Sequence, residues 1–137
     1  MKKVAKLLLI DPDDKHLLMY RSDHPTFGVD PDLPGGTLEG NETLLETMLR
    51  EVVEEVGVNI DPNYVREIYS GKDYSAHGTH YSLFIVKLNT RPEIIMSWEH
   101  SNYEWLNKDV FIQKSKDAND TYMHMVAETL MKAKLGP

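Results

Sequence analysis

The stretch that most constrains this chain is "LLETMLREVVEEVG", residues 44–57. Leu45, Met48, Leu49, Val52, Val53 and Val56 recur at three- and four-residue spacing, which predicts an amphipathic helix. It is expected to run from about Glu42 to Val56, with Asn41 as N-cap and Gly57 as C-terminal stop. At about 100° per residue, Glu55 falls about 40° from Glu51 on one side and Glu54 about 60° on the other. Three carboxylates therefore share an arc turned away from most of the apolar face. Like charges at these spacings cost about 0.2–0.5 kcal/mol per pair, and the helix dipole disfavours negative charge in the last turns. Either the arc is a solvated acidic face, or the carboxylates converge on Mg²⁺ or Mn²⁺, hard cations that take oxygen ligands.

The flanks of this helix read as sheet. "VAKLLLI" (4–10) and "HLLMYR" (16–21) are apolar runs joined by "DPDDK", whose Asp and Pro residues suit a hairpin turn. That turn lacks the glycine and the later bidentate glutamate of a calcium loop. Residues 22–36 are rich in Asp, Pro and Gly and read as loop. "YVREIYSG" (64–71), "HYSLFIVKLN" (80–89) and "YEWLN" (103–107) read as strands. Met123, Val126, Ala127, Leu130 and Met131 predict a closing helix over about 120–134. Strands on both sides of a helix, with a second helix at the end, suggest a mixed sheet between helical layers.

At 137 residues the chain is read as one domain, 1–137. "MKKVAKLLLI" has a short apolar stretch that runs into "DPDDK" without a small-residue cleavage site, so it is read as a first strand rather than a signal peptide. No apolar run reaches the roughly 20 residues of a membrane span. With no cysteine there is no disulfide or thiolate chemistry, which suits a cytoplasmic location. A net charge of −7 without a basic cluster disfavours duplex nucleic acid. It leaves room for a small phosphorylated ligand whose charge a divalent metal would neutralise. A homodimer is left open.

The spacing around the helix carries a resemblance. Gly36 is followed after five residues by Glu42, then after seven by Arg50-Glu51, aliphatic Val52, Glu54-Glu55 and Gly57-Val58. "GGTLEGNETLLETMLREVVEEVGV" (35–58) thus resembles the signature of the Nudix (MutT-like) hydrolases at every fixed position. The resemblance implies an α/β fold, the Nudix-type α/β/α sandwich with a mixed β-sheet. It also implies a Mg²⁺-dependent (or Mn²⁺-dependent) hydrolase that cleaves the pyrophosphate linkage of a nucleoside diphosphate derivative, such as a nucleoside triphosphate or nucleotide sugar. Metal ligands are implied at Glu51, Glu54 and Glu55, with the backbone carbonyl of Gly36 joining them. A pyrophosphate repels an attacking hydroxide, so cations must neutralise its oxygens and acidify the water. Arg50 is implied as a clamp that orients a glutamate through a bidentate pair. Glu42 either pairs with Arg50 or only favours the dipole. Gly35 and Gly36 let the backbone approach phosphates closely.

Family members differ in their general base, so both the Glu51 position and a later loop carboxylate stay open. Glu99 and Glu104 lie in "SWEHSNYEWL", and Glu99 is taken as fourth ligand or auxiliary base. Arg21, at the end of the second strand, is a candidate phosphate holder. Phe27, Tyr81 and Tyr103 are either base-stacking or core residues, and Asn119 is a candidate for reading a purine edge. His24, His77, His80, His100 and His124 show no metal-like spacing and are read as structural or exposed. The approach "GVDPDLPGG" lacks the tryptophan common in the family, which leaves the shape of that edge open. The alternative to an enzyme is a non-catalytic Nudix-fold nucleotide-binding or sensor module, which would not need all three glutamates. Variable loops, not the signature helix, select the substrate.

Overall fold

The structure, a computed structural model, describes residues 1–21 and 30–133. Strands β1 (Lys3–Ile10) and β2 (His16–Arg21) are the two N-terminal apolar runs. The Asp11 side chain closes the turn between them by accepting the backbone N–H groups of Asp13 and Lys15, both at 2.9 Å. Short strands β3 (Pro31–Asp32) and β4 (Gly35–Thr37) follow, then helix α1 (Leu44–Val56). After a 3₁₀ turn at Pro62–Tyr64 come β5 (Arg66–Gly71), β6 (His80–Lys87) and β7 (His100–Leu106), and helices α2 (Lys108–Asp117) and α3 (Thr121–Lys132) complete the described chain.

The sheet is mixed, in the order β3-β2-β1-β6-β5, with β4 paired to β1 and β7 paired to β2. β1 and β6 run parallel over eight residue pairs, from Lys3–His80 to Ile10–Lys87. Such a pairing requires a crossover, and α1 lies within it. Because side chains alternate across a strand, β1 feeds two cores. Leu7 and Leu9 pack with Met48, Val52 and Val56 of α1, whereas Leu8 and Ile10 pack with Phe111 of α2 and Met123, Val126 and Leu130 of α3. The result is the expected α/β/α sandwich. Among the described residues no helix is long and apolar enough to cross a membrane.

Local details correct the sequence reading. The N-cap of α1 is Thr43, not Asn41: its side chain accepts Glu46 N–H at 3.1 Å, and Glu46 returns a bond to Thr43 N–H at 2.9 Å. This reciprocal box satisfies two orphan donors, which Asn41 could not do two residues earlier. Val53, assigned to the apolar face, is 43% exposed. Helix α2 was not expected, because its sequence "KDVFIQKSKD" buries only Phe111 and Ser115 and shows little helical periodicity. β7 begins at His100 rather than Tyr103, since its pairing with β2 extends to Arg21 across a bulge.

Candidate active site

Helix α1 lies along β1 and β4 with Thr47, Met48, Val52 and Val56 buried, and its acidic arc is not uniformly solvated. Glu55 is only 6% exposed and accepts Gly35 N–H at 3.0 Å. Burial pushes its carboxyl up to about 7, although the Gly35 N–H and the charges of His100 and Lys6 oppose the rise. The Glu51 carboxyl is also raised by burial, with neighbouring Glu54 and Glu99 adding to the rise and Arg50 opposing it. Glu54 stays on the outer side of the helix, its side chain 56% exposed.

Two glycines shape the approach. Gly35 has φ 149°, and a Cβ there would lie 2.3 Å from the carbonyl oxygen of Ala5. At Gly36 a Cβ would stand 2.7 Å from Cδ of Glu51, so the bare backbone is what lets this carboxylate sit against β4. Strand pairing fixes the alignment, with Gly35 opposite Lys6 and Gly36 opposite Ala5.

Arg50 ties the carboxylates together. Its Nε and Nη2 donate to Glu42 at 2.8 and 3.0 Å as a fork, and its Nη1 donates to Glu51 at 3.0 Å and reaches Glu54 at 3.4 Å. Thr47 Oγ1 gives Glu42 a further bond at 3.0 Å. The Arg50 hydrogen bonds hold the Glu42 carboxyl down to about 2. Of the two readings left open for Glu42, the structure shows the pair with Arg50.

A cavity of about 420 Å³ opens above these groups, lined by Arg21, Gly35, Gly36, Glu51, Glu55 and Glu99 among others. Glu54 is outside this lining. Glu99 arrives on a segment hooked to the end of α1, where Ile95 N–H donates to the Val56 carbonyl at 2.9 Å and Ser97 N–H to the Glu55 carbonyl at 3.0 Å. Those bonds satisfy carbonyls that the helix leaves without partners. Glu104 is committed elsewhere, accepting from Tyr20 and pairing with Lys114 at 3.5 Å.

Among the described residues no three acidic or imidazole side chains stand close enough to form a ready-made metal cluster. Glu51 and Glu54 are turned to Arg50, and Glu55 to Gly35. The donor set nevertheless suits a hard dication. Glu51 and Glu55 are carboxylates whose proton affinity is raised by burial, the oxygen-donor type such a cation takes, and Gly36 leaves its backbone accessible beside them. A cation would remove the cost of ionising them there.

The floor of the cavity was not foreseen. Asp32 is buried, accepts Lys6 Nζ at 2.5 Å and Leu33 N–H at 2.8 Å on Oδ1, and lies 3.0 Å from His100 Nε2 through Oδ2. Burial alone would raise the Asp32 carboxyl, but Lys6 and His100 more than offset it and hold it well below the usual range. The signal was present: Lys6 is the one charged residue within "VAKLLLI", and a strand buried on both faces seldom carries one without a partner.

A second cavity of about 420 Å³ shares Lys2, Val4 and Lys6 with the first and adds Tyr81, Asn119 and Tyr122 among its walls. Tyr81 is buried in the core beneath it, 5.0 Å from Tyr122 between ring centroids. His77 borders the same cavity, His80 contacts Ser70 at 2.9 Å, and His124 contacts the Ala118 carbonyl. Tyr103 packs in the α1-side core. His24 and Phe27 lie outside the described residues.

Comparison with known proteins agrees with this architecture. Residues 1–127 match the family described as NUDIX domain. An ADP-ribose pyrophosphatase of Methanocaldococcus jannaschii is 33% identical over 78 residues, which cover 57% of this chain and 46% of that protein. The match therefore spans about half the length of that curated relative. The MutT protein of Methanosarcina mazei Go1 superposes with a TM-score of 0.70 at 21% identity, over 96% of this chain and 94% of that one. The NUDIX domain of Shewanella oneidensis NrtR, solved with ADP ribose, superposes with a TM-score of 0.68 at 21% identity, over 95% and 86%. At these identities the structural likenesses establish the fold.

Proposed function

The chain belongs to the NUDIX family, and from that premise we propose that it is a divalent-metal-dependent pyrophosphohydrolase acting on a nucleoside diphosphate derivative. The observation that carries this reading is the pair of burial-raised carboxylates, Glu51 and Glu55, facing one cavity beside a glycine-lined strand. A sensor module would have no need to maintain them at that cost.

When bound at Glu51, Glu54, Glu55 and the Gly36 carbonyl, Mg²⁺ or Mn²⁺ would neutralise phosphate oxygens and acidify the attacking water. Arg50 pins Glu42 and Glu51, so the Glu51 carboxylate is oriented before substrate arrives. Glu51 is the preferred proton acceptor, because burial raises its affinity for a proton and Arg50 holds it at the edge of the cavity. Glu99 serves as an auxiliary carboxylate across the cavity. Arg21 and the Gly35-Gly36 backbone hold the diphosphate. In this reading the nucleoside would extend into the adjoining cavity, where Asn119, part of its wall, is the candidate for a base edge. ADP-ribose, the substrate class of the curated relative, belongs in the first panel with nucleoside triphosphates and nucleotide sugars.

The test is hydrolysis of that panel with Mg²⁺ and with excess EDTA, by the native protein and by Glu54→Gln and Glu55→Gln. Metal-dependent turnover that falls by orders of magnitude in both variants, with folding intact, supports the reading. No turnover of any member, or near-native turnover in both variants, refutes it.

A further inference from the structure

Lys6 stands where the two cavities meet and lines both. Its side chain is only 13% exposed, and its ammonium is 5.2 Å from the centroid of the Tyr122 ring. Among the described residues that ammonium donates to Asp32 alone, so it retains N–H bonds for a ligand. Asp32 offers no comparable acceptor, since Oδ1 is taken by Lys6 and Leu33 N–H and Oδ2 faces His100. The junction therefore presents donors.

The charge balance narrows what those donors suit. Asp32 neutralises Lys6, and Glu55 and Asp120 also act on the ammonium electrostatically. An ionised phosphate would gain little from a cation already surrounded by carboxylates. A neutral carbonyl oxygen can accept the same hydrogen bond without meeting that repulsion, and a charged donor strengthens the bond. An exocyclic amine in the same place would set donor against donor and leave the buried ammonium unsatisfied, which is how a polar site rejects a near-isostere. In the strand register Lys6 lies between Gly35 of β4 and Leu83 of β6, so its side chain stands beside the glycine-lined strand of the first cavity while also lining the second.

We propose that Lys6 is a specificity-determining residue that donates to a ring carbonyl of the base, so that the site prefers a 6-oxopurine nucleotide to its 6-amino counterpart. This rests on the placement of the nucleoside in the second cavity.

Nucleoside monophosphates test it without turnover, because they contain no anhydride bond. Titration of the native protein with IMP, AMP and purine riboside 5′-monophosphate, in Mg²⁺, compares an oxygen, an amine and a hydrogen at one ring position. IMP should bind at least about tenfold more tightly than AMP, the scale of one hydrogen bond to a charged group, with purine riboside between them. Lys6→Met should bring all three within about threefold. Since that change strands the buried Asp32, Lys6→Met/Asp32→Asn is measured beside it, with a thermal melt to show folding. Equal binding of IMP and purine riboside monophosphate, or tighter binding of AMP, overturns the inference with the native protein alone. A preference that persists in a folded variant also overturns it, as does failure of all three to bind. Metal-dependent hydrolysis of the panel would remain in any of these cases, so the two readings fail separately.

Discussion

Replacing Glu55 by Gln should stabilise the metal-free protein at neutral pH while destroying its activity. The folded-state carboxyl is raised to about 7 from an ordinary value of 4.5. Between those values the folded protein holds a proton that the unfolded chain has lost. The associated stability is complete below the unfolded value and is lost as pH rises through the folded one. A displacement of that size corresponds to about 3 kcal/mol above about pH 7, at about 1.4 kcal/mol per unit. Gln cannot ionise and keeps a carbonyl oxygen for Gly35 N–H, so it avoids this loss. Its amide N–H groups need partners in a buried place, which costs about 1 kcal/mol and leaves a net gain of about 2 kcal/mol at about pH 8. Urea unfolding in EDTA at several values between about pH 5 and about pH 8 measures this directly. The advantage of the variant should grow with pH across that window. Parallel curves, or a variant that loses stability relative to the native protein as pH rises, would refute burial as the source of the raised carboxyl. Added Mg²⁺ should then reverse the order, because it stabilises the native protein more than a variant lacking the ligand.

Two further outcomes follow from the geometry. Gly36→Ala places a methyl group 2.7 Å from Glu51 Cδ, so the carboxylate must move; turnover should fall about tenfold to a hundredfold while the thermal melt stays near native. Glu51→Gln should be more damaging than Glu99→Gln, because it removes proton transfer worth roughly 10²–10⁴-fold as well as a metal ligand. A pH–rate profile separates the roles: rescue of Glu99→Gln but not Glu51→Gln at alkaline pH would make the loop glutamate the base.

The signature helix was legible from the sequence because its information is local. Leu45, Met48, Val52 and Val56 set its apolar stripe, Gly57 ends it with φ 70°, and the offsets of Glu51, Glu54 and Glu55 fix their arc around the axis. The strands β1, β2 and β6 were legible for the same reason, since each is a run of apolar residues long enough to be buried on both faces. The cap at Thr43 and the helix α2 were missed where several local choices competed or where periodicity was faint.

Tertiary structure alone decided how the three glutamates differ. On a helical wheel they are equivalent neighbours, yet β4 buries Glu55 under Gly35 and admits Glu51 against Gly36, while Glu54 is left outside. It also decided that Lys6, Asp32 and His100, separated by 26 and 68 positions, form one buried network beneath the cavity. A sequence pattern can place side chains around one helix or along one strand. The dielectric surroundings of a carboxylate, and the partner of a buried charge, depend on which distant segment packs against it, and only the folded sheet supplies that segment.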